Sequence, residues 1–125
     1  MIYSRRLPLA SLIELCRALH HYLGAGLTLR NVFEQQAQRG RPAVRPVAAR
    51  IESSLKEGDD LETALKREKE AFPPLFISLA TVGEQTGMLP EVCRELEQYF
   101  LLQQSLRRQF LGLIAWPAFQ LAAAI

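Results

Sequence analysis

Apolar residues recur every three or four positions along most of the chain. The spacing is clear in one stretch near the start and in another in the middle, formed by Leu12, Leu15, Leu19 and Leu23 and by Val44, Val47, Ile51 and Leu55. Such spacing places side chains on one face of an amphipathic helix, and no window of similar length alternates as a half-buried strand does. The pattern predicts an all-α fold, a six-helix bundle of antiparallel helices.

Glycines and polar capping residues divide this pattern into helices. Gly26 can take the left-handed conformation that ends a helix, and Thr28 can cap the next helix by accepting a backbone N–H. Gly58 and Asp60 repeat the same device one unit later. We expect helices at about residues 8–23, 28–38, 43–57, 60–69, 73–83 and 90 onward.

The fifth and sixth predicted helices are marked by prolines and glycines. Pro73 and Pro74 suit the first turn of the fifth helix, and Pro90 suits the start of the sixth. The segment from Gly83 to Gly87 is predicted to be the loop between them. Val92, Tyr99 and Leu106 are expected to face inward on the sixth helix, and the predicted core of the bundle includes Leu19, Phe33, Ile51, Leu65, Phe76, Leu79, Leu96 and Phe100.

The last part of the chain changes character. Residues 110–125 contain no charged side chain, and Arg107 and Arg108 come just before them. A spanning helix needs about twenty apolar residues, so length alone does not decide the matter. The apolar run with two preceding arginines indicates the truncated start of a membrane span, with residues 1–108 forming a cytoplasmic domain and residues 109–125 the span. The alternative is a helix buried in a dimer.

Composition limits the number of domains and the class of partner. The chain has 125 residues, 49% of them apolar, which suffices for one core. The net charge of +2 hides an asymmetry, because residues 1–50 carry eight basic and two acidic side chains and residues 51–100 carry five basic and eleven acidic ones. The acidic half would repel a polyanion and no DNA-reading motif is present, so we expect no nucleic acid partner and favour a homo-oligomer or protein docking.

Two cysteines and two histidines raise the question of a metal site. Cys16 and His20 stand four residues apart on one predicted helix, a spacing that lets two ligands share a metal, with His21 and Cys93 as further candidates. His21 would point about 100° away from His20, however. A buried cysteine beside an amphipathic histidine explains the same pair, so we expect no metal, and the isolated cysteines fit a reducing cytoplasmic setting.

The usual signatures of catalysis are absent from the sequence. It contains no Gly-x-Ser-x-Gly, phosphate-binding loop or His-Glu-x-x-His, so we expect neither catalytic residues nor a cofactor. Asp59, Asp60 and Glu62 lack the calcium-loop pattern and are better explained as charges favoured at a helix N-terminus.

Several short motifs occur together along the chain, namely Arg17, Ala25–Leu29, Gly58–Leu65, Phe72–Leu75, Val82–Leu89, Arg107–Arg108 and Trp116–Pro117. In that order, and with that spacing, the chain resembles the type II secretion F-domain proteins, the inner-membrane platform proteins of general secretion and type IV pilus assembly. Ala18 departs from the family, where glutamine commonly follows the first-helix arginine, and the usual N-terminal extension is missing.

The resemblance implies a function without catalysis. It implies an adaptor in the bacterial inner membrane that links a cytoplasmic motor ATPase and other assembly proteins to pilus or pseudopilus growth. It also implies a second domain copy and further membrane helices in a full member, so we expect a fragment or an abbreviated relative. Arg17, Glu84 and Gln85 are the partner-binding candidates, although Glu84 alternatively caps the sixth helix. A free-standing helical homodimer and a small metal-dependent enzyme are the rival hypotheses.

Overall fold

Six α-helices make up the part of the chain that the structure describes. The computed structural model describes residues 6–124, and for residues 114–119 and 124 it describes the backbone alone. No β-strand occurs among these residues, so the predicted all-α fold is confirmed. The helices are α1 (Leu9–Gly24), α2 (Leu29–Arg39), α3 (Val44–Lys56), α4 (Leu61–Arg67), α5 (Pro74–Thr86) and α6 (Leu89–Ala124).

The α1–α2 and α3–α4 connections share one local design. Gly26 and Gly58 have φ angles of 98° and 100°, a backbone conformation that favours glycine. Two residues further on, Thr28 Oγ1 accepts the Asn31 backbone N–H at 3.1 Å, and Asp60 Oδ1 accepts the corresponding N–H in α4 at 2.8 Å. Each cap satisfies an N–H that has no partner within its own helix, so both helices begin at these residues.

The connection between α5 and α6 differs from the predicted one. The predicted loop from Gly83 to Gly87 is wrong, because α5 continues to Thr86 and only Gly87, with φ 74°, ends it. Gly83 lies buried inside α5, where an added Cβ would approach the Leu89 Cα and the Val92 Cβ at 3.1 Å. This glycine therefore permits the two helices to pack closely instead of breaking α5.

One hydrophobic core joins all six helices. Seven of the eight core residues named from the sequence are buried, and Phe72 and Phe76 stack with ring centroids 4.6 Å apart. Leu79 is the exception at 37% exposed. The prediction for Leu79 is wrong because α5 turns Phe76, Ala80 and Gly83 toward the core, which leaves Leu79 on another face.

Helix α6 packs into the bundle through one face of its first half. Cys93, Leu96 and Phe100 face the core, whereas Tyr99 and Leu106, predicted to face inward, are exposed. The error follows from helix rotation, since 93, 96 and 100 share a stripe that excludes 99 and 106. The main packing pairs in the bundle are α1 with α6 and α2 with α3.

The second half of α6 leaves the bundle. The helix has 36 residues, a length of about 54 Å, and every residue from 105 to 113 is exposed. Within the described part of the chain, no helix combines the length and the hydropathy that crossing a membrane requires. The predicted span at 109–125 includes Trp116 and Pro117, whose side chains lie outside the described residues.

Candidate functional site

The three partner-binding candidates lie in two different places. Arg17 is on α1 and faces α6, whereas Glu84 and Gln85 belong to the last turn of α5. Arg17 and Glu84 also have different neighbours, since one contacts Glu97 and the other faces the first turn of α4. The structure therefore gives two candidate sites. One lies where α1 meets α6, and the other lies where the end of α5 meets the start of α4.

Arg17 is part of a partly buried ionic contact between α1 and α6, in which only the carboxylate partner is buried. Its Nε donates to Glu97 Oε2 at 2.6 Å, and His20 Nε2 lies 2.7 Å from Glu97 Oε1. Arg17 and His20 are three residues apart on α1, which places both on the face that meets α6. We call these three residues the α1–α6 clamp.

The clamp satisfies a carboxylate that would otherwise be costly to bury. The Glu97 side chain is only 8% exposed, and both of its oxygens are engaged. Burial of a charge is tolerated when a partner and hydrogen bonds replace water, and removal of a partner then costs more than a surface pair would. The clamp therefore holds α6 against α1 in a defined rotation.

Sequence reasoning missed Glu97. The available signal was its spacing, because Cys93, Glu97 and Phe100 are separated by four and three residues and so share one helix face with the core side chains. An acidic residue on a buried face requires a basic partner from another helix. In the structure these basic partners are Arg17 and His20 of α1.

Both cysteines lie in the core of the bundle, where α1 meets α6. Burial raises the pKa of the Cys16 thiol, and the neighbouring Cys93 and Glu97 raise it further. Burial likewise raises the pKa of Cys93 to about 12. A thiol must lose its proton to bind a metal, so both are poor ligands at neutral pH. Across the described residues, no three His, Cys, Asp or Glu side chains are grouped to hold a metal ion.

Glu84 occupies a position different from the predicted one. Burial raises the pKa of its carboxyl, a hydrogen bond from the Leu61 backbone N–H lowers it, and the charge of Asp60 raises it. The carboxylate therefore faces the start of α4, and the prediction that it caps the sixth helix is wrong. The reason is that α5 continues for a further turn and carries Glu84 with it. Gln85, next in sequence, is exposed.

The opposed charges of the two halves meet within the chain. Arg30 Nε lies 2.9 Å from Glu52 Oε2, and Arg50 Nη2 lies 2.9 Å from Glu68 Oε1. Together with the clamp, these pairs join basic residues of the first half to acidic residues of the second. Exposed ion pairs contribute at most about 1 kcal/mol each to the stability of the fold. They also neutralise charges that would otherwise attract a charged partner.

Comparison with known proteins gives one consistent family. Residues 15–125 match the family described as type II secretion system (T2SS), protein F. The type II secretion system protein F of Aeromonas hydrophila is 28% identical over 118 residues, which cover 94% of this chain and 30% of the relative. The protein transport protein HofC homolog of Escherichia coli (strain K12) is 31% identical over 113 residues, 90% of this chain and 28% of the relative.

A pilus protein gives a similar match. The type 4 fimbrial assembly protein PilC of Pseudomonas putida is 33% identical over 97 residues, 74% of this chain and 24% of the relative. The chain thus spans less than a third of the length of these relatives.

Proposed function

The chain belongs to the type II secretion system protein F family, and on that premise we propose that it is a non-catalytic platform domain of a secretion or pilus-assembly machine. In this proposal it links a cytoplasmic motor ATPase to the assembly of a pilus or pseudopilus. Three relatives support this class of function, because they are named as proteins of type II secretion, protein transport and fimbrial assembly.

The observation that carries the proposal is the continuity of α6. One helix runs from Leu89 in the core to Ala124, well beyond the bundle. Because the clamp and the core hold its first half, a displacement of the bundle moves the second half as well. A domain that transmits motion needs such a stiff connection, and it needs no catalytic group.

We further propose that residues 109–125 are the start of the first membrane helix of a bacterial inner-membrane protein and that residues 1–108 are its cytoplasmic bundle. Phe110, Leu111 and Leu113 are all more than half exposed to solvent, and no charged residue follows Arg108. Exposed apolar side chains of this size are costly in water, and a bilayer would cover them.

Arg17, Glu84 and Gln85 remain our candidates for contact with the motor or a neighbouring subunit. The Arg17 side chain is 55% exposed although its Nε is bound, and Gln85 is exposed on the last turn of α5. Both can therefore reach a partner. Glu84 is half-buried, so its contribution would be to shape the end of α5.

The function is tested by interrupting α6 between the bundle and its apolar half. In the native gene, Ser105→Pro removes an N–H from the exposed part of the helix and clashes with the preceding turn. We expect normal protein level and an intact bundle, but lost secretion or piliation. Ser105→Ala is the control and should retain function. Full function of the proline variant, or normal secretion and piliation after deletion of the gene, would refute the proposal.

A free-standing helical homodimer is the second candidate function. Leu75, Leu79 and Val82 lie at helical spacing on α5 and are exposed, so they form a face that a second copy can cover. Deletion of residues 110–125 separates the two functions. A folded and more soluble domain supports the membrane role, whereas global unfolding supports a buried helix in a dimer.

A further inference from the structure

A cleft lies beside the clamp and shares Arg17 with it. Its walls are α1, the C-terminal end of α2 and the α2–α3 turn, and its volume is about 500 Å³. We call it the α1–α2 cleft. The side chains that matter here are Glu14, Arg17, Tyr22, Gln36, Arg39 and Arg41.

The cleft is basic. Three arginines line it against the single carboxylate of Glu14. Arg17 is held from behind by Glu97, and Arg41 forms an ion pair with Glu14. Both contacts use the Nε atom of the guanidinium, which has four further N–H donors. The two arginines are thus oriented and still able to bind.

Arg39 adds an uncompensated charge. It is exposed in the last turn of α2, and no ion pair to it is found among the described residues. The turn after it is fixed, because Arg45 Nε donates to the Gly40 carbonyl at 2.7 Å. The Gln36 amide and the Tyr22 hydroxyl provide neutral donors and acceptors in the same cleft.

We propose that the α1–α2 cleft binds an acidic, extended segment of a protein partner, with carboxylates on Arg39 and on the free donors of Arg17 and Arg41. This inference rests on the proposed platform function, because a platform must bind other proteins. Guanidinium groups bind carboxylates through paired N–H donors. A cleft of this volume accommodates a few side chains.

The surroundings favour a peptide over a ligand rich in phosphate. Glu14 and the negative end of the α2 dipole both lie at the cleft, and both repel the concentrated charge of clustered phosphates more strongly than the single charges of separate carboxylates. A peptide carries isolated carboxylates and also backbone N–H groups, which Glu14 and the carbonyls at the end of α2 can accept. The mixed lining therefore matches the chemistry of an acidic peptide.

Fluorescence anisotropy with a labelled hexaglutamate peptide tests this inference on the full chain. We expect saturable binding by the wild type and no binding of hexaglutamine. Binding should be at least about tenfold weaker for Arg39→Glu, which removes one charge-assisted contact and adds a repelling charge. Arg94→Glu is the matched control, since Arg94 is exposed on α6 and does not line the cleft. Its affinity should stay close to that of the wild type.

Several outcomes would overturn the inference. Equal weakening by both substitutions means that only net charge matters. Arg39-dependent binding of phosphatidylglycerol vesicles without binding of hexaglutamate means that the cleft recognises lipid. Arg39-dependent self-association without peptide binding means that the partner is a second copy. Thermal melting checks that both variants fold. If hexaglutamate fails to bind while the Ser105 variants behave as expected, the inference fails and the platform function stands.

Discussion

The two halves of α6 have the same backbone and opposite surroundings. From 89 to 104 the helix contributes Cys93, Leu96 and Phe100 to the core and Glu97 to the clamp. From 105 to 113 every residue is exposed. Because most helix stability in proteins comes from tertiary packing, we expect α6 to be more stable in its packed half. In the proposed function, a membrane covers the exposed apolar side chains of the distal half.

The largest expected contrast is between Phe100 and Leu106. Phe100→Ala removes a buried ring and leaves a cavity, so it should lower the free energy of unfolding by about 3–5 kcal/mol. Leu106→Ala shortens an exposed side chain and should change the free energy of unfolding by less than about 0.5 kcal/mol. Denaturant titration measures both. Similar losses would show that the distal half is packed in solution.

The clamp gives the next largest effect. Glu97→Gln removes the charge that Arg17 and His20 bind and should cost about 1.5–3 kcal/mol, the range for hydrogen bonds to charged groups. Glu95→Gln, an exposed change two residues away, is the control and should be near neutral. If a double-mutant cycle between Arg17 and Glu97 gave no coupling energy, the clamp would not hold the two helices together.

Glycine-to-alanine substitutions should have opposite effects on the two halves of α6. Gly83 lies on α5 and packs against the first half, whereas Gly112 lies in the second half. Gly83→Ala places a Cβ 3.1 Å from Leu89 and Val92, so it should push α6 away and cost about 1–3 kcal/mol, less the gain in helix propensity. Gly112→Ala meets nothing within 4 Å and should instead favour the distal helix by up to about 1 kcal/mol. Thermal melting measures the loss of stability in Gly83→Ala, and circular dichroism measures the gain of helix in Gly112→Ala. If both substitutions stabilised the protein, or both destabilised it, the described packing would be contradicted.

The smallest effect concerns Glu84 and pH. Its pKa is raised above the ordinary value of 4.5, chiefly by burial, so the folded state holds the proton more readily than the unfolded state. The stabilisation from this group is therefore present below the unfolded pKa and is lost as pH rises through the higher folded pKa. Glu84→Gln should flatten that dependence and leave melting at neutral pH unchanged or slightly higher. A clear loss of stability at neutral pH would contradict the raised pKa. Unchanged melting with lost secretion would indicate a partner contact.

The sequence predicted what local chemistry determines. Helical periodicity gave six helices, and the pairs Gly26–Thr28 and Gly58–Asp60 marked two starts, because a cap and a positive φ depend only on neighbouring residues. Residues that depend on packing were less predictable. The sequence pattern indicates a helix stop at Gly83, whereas in the structure this glycine serves a close helix contact, and Ala80 rather than Leu79 is buried.

The clamp shows a similar limit for the candidate site. The family resemblance points to Arg17, but its partner Glu97 is 80 residues away and comes near only when α1 packs on α6. Likewise the α1–α2 cleft combines two helices and a turn, and no local pattern in the chain marks it. Contacts across the bundle depend on how far each helix is rotated about its own axis. The spacing of apolar residues in the sequence gives that rotation only approximately.

Hydrogen exchange along α6 tests the central claim most directly. In water, amides from 93 to 100 should be strongly protected and those from 105 to 113 weakly protected, because only the first set lies in packed structure. In lipid bilayers we expect strong protection from 110 onward, with the bundle unchanged. Weak protection beyond 110 in the bilayer, or strong protection of the same residues in water, would contradict the claim that α6 joins a cytoplasmic bundle to the membrane.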